Sequence, residues 1–279
     1  MKLAVLSGKG GTGKTFVAVN LAAAADLGAY IDCDVEEPNG RLFLKPGNIV
    51  SENVSAPLPV FDAKKCTACR KCVDFCRFNA LVFIKDKPMV FSEVCHSCGG
   101  CALICPEGAV TEEKRPIGVL ELGMRGSLSV VTGVLNPGEA SGIPVIKAAL
   151  GNCAPKDMLT VIDCPPGSAC SVMESVSGAD YCLLVAEPTA FGLHNFEMVH
   201  ELVSILKKPC GVIINKAEGE YSPMDEFCAK HHINVLCRIP YSEKLARIGA
   251  GAELACEHDS DMAELFRGLL KTLGTEAVE

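Results

Sequence analysis

The chain has 279 residues, 49% of them hydrophobic, with 5% aromatic residues and no tryptophan, which suits an Ala/Val/Leu/Ile-rich α/β protein with a large core and room for a second small domain. A formal charge of −8 without a dense Lys/Arg cluster argues against nonspecific binding of nucleic acid, which needs many phosphate-neutralising cations. No apolar run approaches the roughly 18 residues of a membrane span, and the start runs at once into a glycine-rich loop, so neither a signal peptide nor a membrane anchor is expected.

Residues 2–7 alternate little and are apolar from Leu3 to Leu6, as in a strand buried on both faces of a parallel sheet. Gly8-Lys9-Gly10-Gly11-Thr12-Gly13-Lys14-Thr15 follows and satisfies G-x-x-x-x-G-K-[ST]. The pattern then predicts a helix over about 14–27 closed by Gly28, and a strand over 29–33. Later apolar strands are expected near 129–133, 159–164, 182–186, 211–215 and 235–239, with helix-length segments between most of them. Strand alternating with helix predicts an α/β fold, a doubly wound and mostly parallel sheet.

A cysteine-rich segment interrupts this alternation. Eight of the seventeen cysteines form two runs of identical spacing, C-x2-C-x2-C-x3-C, offset by 29 residues. Three thiolates two residues apart wrap one corner of a 4Fe-4S cube, and the fourth points to the neighbouring cube. The ligand sets therefore cross: Cys66, Cys69, Cys72 and Cys105 hold one cluster, and Cys95, Cys98, Cys101 and Cys76 the other. A zinc site or a disulfide framework fits worse, because a closed zinc site has no use for a third C-x2-C step. Pro106 follows the second run where Arg77 stands after the first. The segment reads as an internally duplicated insertion, dividing the chain into 1–62, the inserted ferredoxin-like domain 63–115, and 116–279. Its fifty-odd residues could hardly build a core alone, so the clusters would stand in for one.

In the glycine loop, backbone N–H groups can curl around phosphates, Lys14 can reach the β and γ oxygens of ATP, and the Thr15 hydroxyl suits Mg²⁺. Lys9 adds information. K-G-G-T-G-K-T resembles the deviant phosphate loop of the MinD, ParA and Mrp dimeric ATPases, a superfamily that includes the nitrogenase iron protein. Ile31-Asp32-Cys33-Asp34 with Pro38-Asn39 resembles its first switch, residues 161–167 ending in Pro165-Pro166-Gly167 its second, and Ile213-Ile214-Asn215-Lys216 its adenine-reading strand end. The whole is similar to MinD-superfamily ATPases that carry an inserted two-cluster ferredoxin domain.

The resemblance implies an ATPase in which Lys14 and Thr15 act in cis, while Lys9 crosses a dimer interface to the partner's nucleotide. It further implies that Asp163 helps hold Mg²⁺, that Asp34 positions the attacking water with Asp32 in support, and that Asn215 contacts adenine. The dimer would be a homodimer or a heterodimer with a related ATPase.

The other nine cysteines are expected to be small core residues, apart from Cys170. It follows Asp163 by seven positions, the offset of a dimer-bridging cluster ligand in the nitrogenase iron protein. It is thus a candidate ligand of a third cluster, to which Cys164 could add. The late C-x-x-C pair of the Mrp-type carriers is missing. Met262, Leu265, Phe266, Leus 269, 270 and 273 form a helical stripe read as core-packing, since Glu264, Glu276 and Glu279 dilute Arg267 and Lys271 and leave little basic attraction to lipid. His231-His232 reads as a surface turn without a spaced partner.

These readings point to a cytoplasmic iron-sulfur ATPase whose nucleotide state governs electron flow through two 4Fe-4S clusters to a redox partner. The alternatives are a carrier that loads iron-sulfur or metal cofactors, and a positioning ATPase with a ferredoxin docking module.

Overall fold

The structure is a computed structural model and describes residues 1–219 and 221–276; Glu279, one of the acidic residues read beside the expected stripe, lies outside them. In chain order the first half runs β1 (Lys2–Leu6), α1 (Lys14–Ala25), β2 (Leu27–Asp32), α2 (Gly40–Leu44), β3 (Gly47–Phe61), α3 (Lys71–Phe75), β4 (Leu81–Ile84), β5 (Lys87–Val90), α4 (Gly100–Ile104) and β6 (Val110–Arg125). There follow β7 (Ser127–Leu135), α5 (Ile143–Leu150), β8 (Thr160–Asp163), α6 (Cys170–Val176), β9 (Tyr181–Ala186), α7 (Ala190–Ile205) and β10 (Cys210–Ala217). The chain then forms α8 (Ser222–Lys230), β11 (Asn234–Pro240), α9 (Glu243–Ala250), α10 (Ala255–His258) and α11 (Ser260–Glu276).

Nine strands form one sheet in the order β11-β10-β9-β1-β8-β2-β7-β6-β3, parallel from β11 to β7 and antiparallel at β6 and β3. Both faces are covered. Leu3 and Val5 of β1 enter one core with α1 and α11, whereas Ala4 and Leu6 enter the other with α5, α6 and α7. Such double coverage explains the unbroken apolar runs of these strands. The connection from β1 crosses over to β2 with β8 between them, so the carboxyl ends of β1, β2 and β8 open at one crevice, where ligands bind in open α/β sheets.

Helix α1 stops earlier than the pattern suggests. It ends at Ala25, and Asp26 takes the left-handed cap conformation (φ 51°), donating its N–H to the carbonyls of Ala22 and Ala23. Gly28 is therefore not the cap but a residue of β2. With φ 117° and the Leu159 carbonyl against its Cα, it has no room for a side chain. In α11, Met262, Phe266, Leu269 and Leu273 are buried against the α1 side of the sheet, the core-packing role expected of the stripe. His231 does have an aromatic partner, because α7 brings His200 to 5.2 Å and Phe227 lies at 4.3 Å.

The inserted segment stands on a ribbon. β3 and β6 pair antiparallel from Gly47↔Met124 out to Phe61↔Val110, but only residues 118–125 of β6 also pair with β7. The ribbon's free end carries α3, the β4–β5 hairpin and α4. The 29-residue duplication is visible in the backbone. Ala68, Arg70 and Asn79 have φ of 58°, 65° and 52°, and Ser97, Gly99 and Gly108 repeat them at 54°, 73° and 55°. The symmetry breaks after each run, where the first leads into the hairpin strand β4 and the second into the 16-residue β6.

Candidate functional site

The loop between β1 and α1 reaches its shape through glycines at positive φ, with Gly13 at 93° capping α1. Asn215, buried at the end of β10, donates from Nδ2 to the Thr12 carbonyl at 2.7 Å and packs so closely on Gly13 that a Cβ there would collide. The Thr12 hydroxyl is buried without a hydrogen-bond partner, an orphan group of the kind a bound ligand satisfies. The loop borders a cleft of about 1000 Å³ lined by Lys9, Lys14, Thr15, Asp34, Gly142 and Pro165, among others.

At the cleft wall, two carboxylates converge on one amine, with a third buried behind them. Lys14 Nζ donates to Asp163 Oδ1 at 2.5 Å and lies 3.5 Å from Asp34 Oδ2. Burial would depress the Lys14 pKa, but Asp163 and Asp34 outweigh it and hold the ammonium charged. Asp32 lies fully buried beside Asp163 in register. Burial, reinforced by the charge of Asp163, pushes its pKa up to about 8 against the opposing pull of Lys14 and the N–H groups of Gly40 and Asp34. Those N–H groups bind its two oxygens at 3.0 and 3.1 Å. Tyr30, fully buried, donates its hydroxyl to Asp163 Oδ2 at 2.9 Å.

Sequence reasoning missed Tyr30. The available signal was a tyrosine inside an otherwise aliphatic strand, whose hydroxyl demands a buried acceptor. It also missed Glu187, which accepts from Lys9 at 2.6 Å and Lys216 at 2.7 Å, while Lys9 lies 5.0 Å from the Phe191 ring. Within the single chain, then, the loop lysine is held in cis.

The eight module cysteines fall around two separate cavities. One, of about 20 Å³, is lined by Cys66, Cys69, Cys72 and Cys105, and the other, of about 90 Å³, by Cys76, Cys95, Cys98 and Cys101. Among the described residues no three His, Cys, Asp or Glu groups gather closely enough to hold a single metal ion. A cubane asks instead for four thiolates spread around its own volume. Between Ala63 and Ala109 only Ala80, Leu81 and Ala109 are buried apolar residues, while Phe75, Phe78, Phe91 and Leu103 are exposed.

Cys170 is exposed at the start of α6, between the cleft-lining Ala169 and Ser171. Cys164 is fully buried, its pKa raised well above the usual thiol range by that burial, which withdraws it as a companion surface ligand. Cys33, Cys182 and Cys228 are buried as well. No helix among the described residues is long and apolar enough to cross a membrane.

A doubly wound parallel sheet with a phosphate loop after its first strand, and aspartates ending the neighbouring strands, defines a P-loop nucleotide-binding protein. More particularly, the chain belongs to the CobQ/CobB/MinD/ParA nucleotide binding domain family, whose model matches residues 3–254. It is 28% identical over 279 residues to MJ0578 of Methanocaldococcus jannaschii, covering 98% of this chain and 96% of that one. Its fold resembles that of the septum site-determining protein MinD of Pyrococcus horikoshii complexed with Mg-ADP, with a TM-score of 0.58 at 17% identity, over 98% of this chain and 95% of the other. A 50-residue stretch, 16% of this chain, is 38% identical to the ferredoxin-type protein NapF of Escherichia coli K12 and covers 30% of it. The chain thus has the ATPase fold of the MinD/ParA group and carries a ferredoxin-like element.

Proposed function

We propose that this protein binds and hydrolyses MgATP as a homodimer, or as a heterodimer with a related ATPase, and couples its nucleotide state to electron transfer through two 4Fe-4S clusters. In this reading residues 1–62 and 116–279 make the ATPase domain and 63–115 the inserted ferredoxin-like domain. The observation that carries it is the sorting of eight cysteines into two cavities with the crossed ligand sets that two cubanes require. The clusters, held by those thiolates, would supply one-electron storage at low potential.

At the nucleotide site, Lys14 and the loop N–H groups bind the β and γ phosphates, and the Thr12 hydroxyl gains a partner. Thr15 and Asp163 hold Mg²⁺, Asp34 orients water with Asp32 behind it, and Asn215 supports the adenine side of the loop. Lys9 leaves Glu187 and serves the nucleotide of the second subunit. Phosphoryl transfer asks for this positioning and charge neutralisation above all.

Coupling has a physical route. Arg115, on β6, makes a bidentate pair with Glu139 at 2.5 and 2.7 Å and reaches the Ser92 carbonyl, three residues before Cys95, at 3.5 Å. Glu139 belongs to the loop after β7. That strand's Leu135 donates to the Val35 carbonyl beside Asp34, and the loop ends at cleft-lining Gly142. A shift of Asp34 and Val35 on nucleotide binding would thus be felt at the second cysteine run.

The test is to mix anaerobically isolated, reduced protein with an electron acceptor, with and without MgATP. Acceptor reduction that proceeds only during hydrolysis supports the proposal; reduction indifferent to nucleotide overturns the coupling. Movement of cluster iron to an apo-recipient would favour the cofactor-carrier alternative. Iron and sulfide counts per dimer in Cys170→Ser against the parent decide the third cluster, and equal counts remove it.

A further inference from the structure

The two halves of the module hold equivalent cysteine quartets but differ sharply in charge. At the 29-residue offset, Lys64, Lys65, Arg70, Lys71 and Arg77 of the first run correspond to Glu93, Val94, Gly99, Gly100 and Pro106 of the second. All five basic side chains are exposed; Arg70 and Lys71, with Glu107, line the cavity of the first quartet around exposed Cys69, whereas Arg77 lines that of the second. The chain's net charge of −8 conceals this local reversal.

The second run is an internal control. It reaches the same backbone with no basic residue at any of these places, so building a quartet does not require them. Arg70 is the most telling. It occupies a left-handed position (φ 65°) where the other half uses Gly99 (φ 73°), a conformation that glycine adopts without strain and arginine does not. Its guanidinium lies 5.6 Å from the Phe83 ring, which steadies it at the cavity rim.

Resting on the electron-transfer reading above, we propose that the face around Cys69 is the docking surface for an acidic one-electron carrier protein. Each cubane with four thiolates is itself anionic, so an acidic carrier is drawn to the quartet with more exposed positive charge: Lys64, Lys65, Arg70 and Lys71 surround the first, whereas the cavity of the second has Arg77 beside Glu112. The step is the transfer of a single electron from the reduced carrier to the cluster held by Cys66, Cys69, Cys72 and Cys105, oxidising the carrier and reducing the cluster, with no bond made or broken and no proton moved.

The experiment is anaerobic stopped-flow reduction of the holoprotein by a photoreduced acidic flavodoxin, across ionic strength. The expected second-order rate falls as salt rises, and Lys64→Glu/Lys65→Glu lowers it about tenfold or more at low salt, while Glu93→Lys changes it by less than about twofold. Iron content and the extent of bleaching by dithionite are measured on each protein. Clusters that bleach normally in dithionite, with a flavodoxin rate insensitive to salt and to both variants, overturn the docking surface and leave the iron-sulfur reading standing. Protein that holds no iron or does not bleach overturns both.

Discussion

Glu187 is where a single carboxylate does most to set the resting state. Burial alone would raise its pKa, but hydrogen bonds and charge from Lys216 and Lys9 hold it below the ordinary carboxylate range. Lys216 also donates to the Gly11 carbonyl at 2.6 Å, so the end of β9 and the phosphate loop are tied through one anion. If Lys9 must swing to a partner's nucleotide, that tie opposes closure. Glu187→Gln keeps the shape and removes the charge; the ATP concentration at which dimers form should drop about threefold to tenfold, the range of a partly buried ion pair of about 1 kcal/mol. Light scattering during an ATP titration reads this directly, and an unchanged midpoint would mean that Lys9 is not restrained. A second residue gives a pH signature. Burial, and then the neighbouring His231, lower the His200 pKa. The folded state therefore prefers neutral His200, and below the ordinary pKa of 6.5 the unfolded chain takes up a proton that the folded chain refuses. Stability from this site is present above that pH and lost as pH falls through it. Thermal denaturation of His200→Gln against the parent should show the two melting temperatures diverging below about pH 6.5, with the variant less acid-sensitive.

Among the elements, legibility followed the range of the forces. The phosphate loop is legible because glycine spacing and a flanking strand dictate its backbone locally. The cysteine runs can be read for proposed ligand quartets because ligand spacing is a geometric demand. By contrast, β3 carries Glu52, Asn53, Ser55, Pro57 and Pro59, a composition that reads as a loop. It is a strand because β6, far along the chain, supplies its ladder, and its prolines are tolerated because β3 is the last strand of the sheet, with one side free. Tyr30 stayed hidden for a similar reason, since its acceptor on Asp163 comes from another strand. The same ribbon carries the coupling argument. Arg115→Lys retains the charge but loses the bidentate fork to Glu139 and the reach to Ser92. Midpoint potentials followed by EPR with and without MgATP should then show a smaller nucleotide-dependent shift, while the ATP dissociation constant stays within about twofold. An undiminished shift would mean that the signal bypasses this strut.

For the molecule as a whole, the decisive contrast is between a sheet that packs itself and a module that does not. The ATPase part has two apolar cores, one on each face of nine strands, with residues such as Leu3, Ile31, Leu183 and Phe266 fully buried. The module leaves Leu103 89% exposed and Phe75 47% exposed, so its apolar side chains cannot be what folds it. On the function proposed above, bonds between eight thiolates and two clusters organise it, and the paired β3 and β6 join it to the sheet. Removing iron should therefore melt one part and spare the other. Hydrogen exchange on anaerobic protein before and after chelation should show amides between Asp62 and Ala109 losing protection by about a hundredfold or more, fraying into the outer ribbon and halting where β6 meets β7. The slow amides of β1, β8 and β9 should keep their protection, and MgATP should still bind. Protection in the module that survives complete loss of iron would require a core that its side chains do not supply, and would overturn the assignment of the two cavities to clusters.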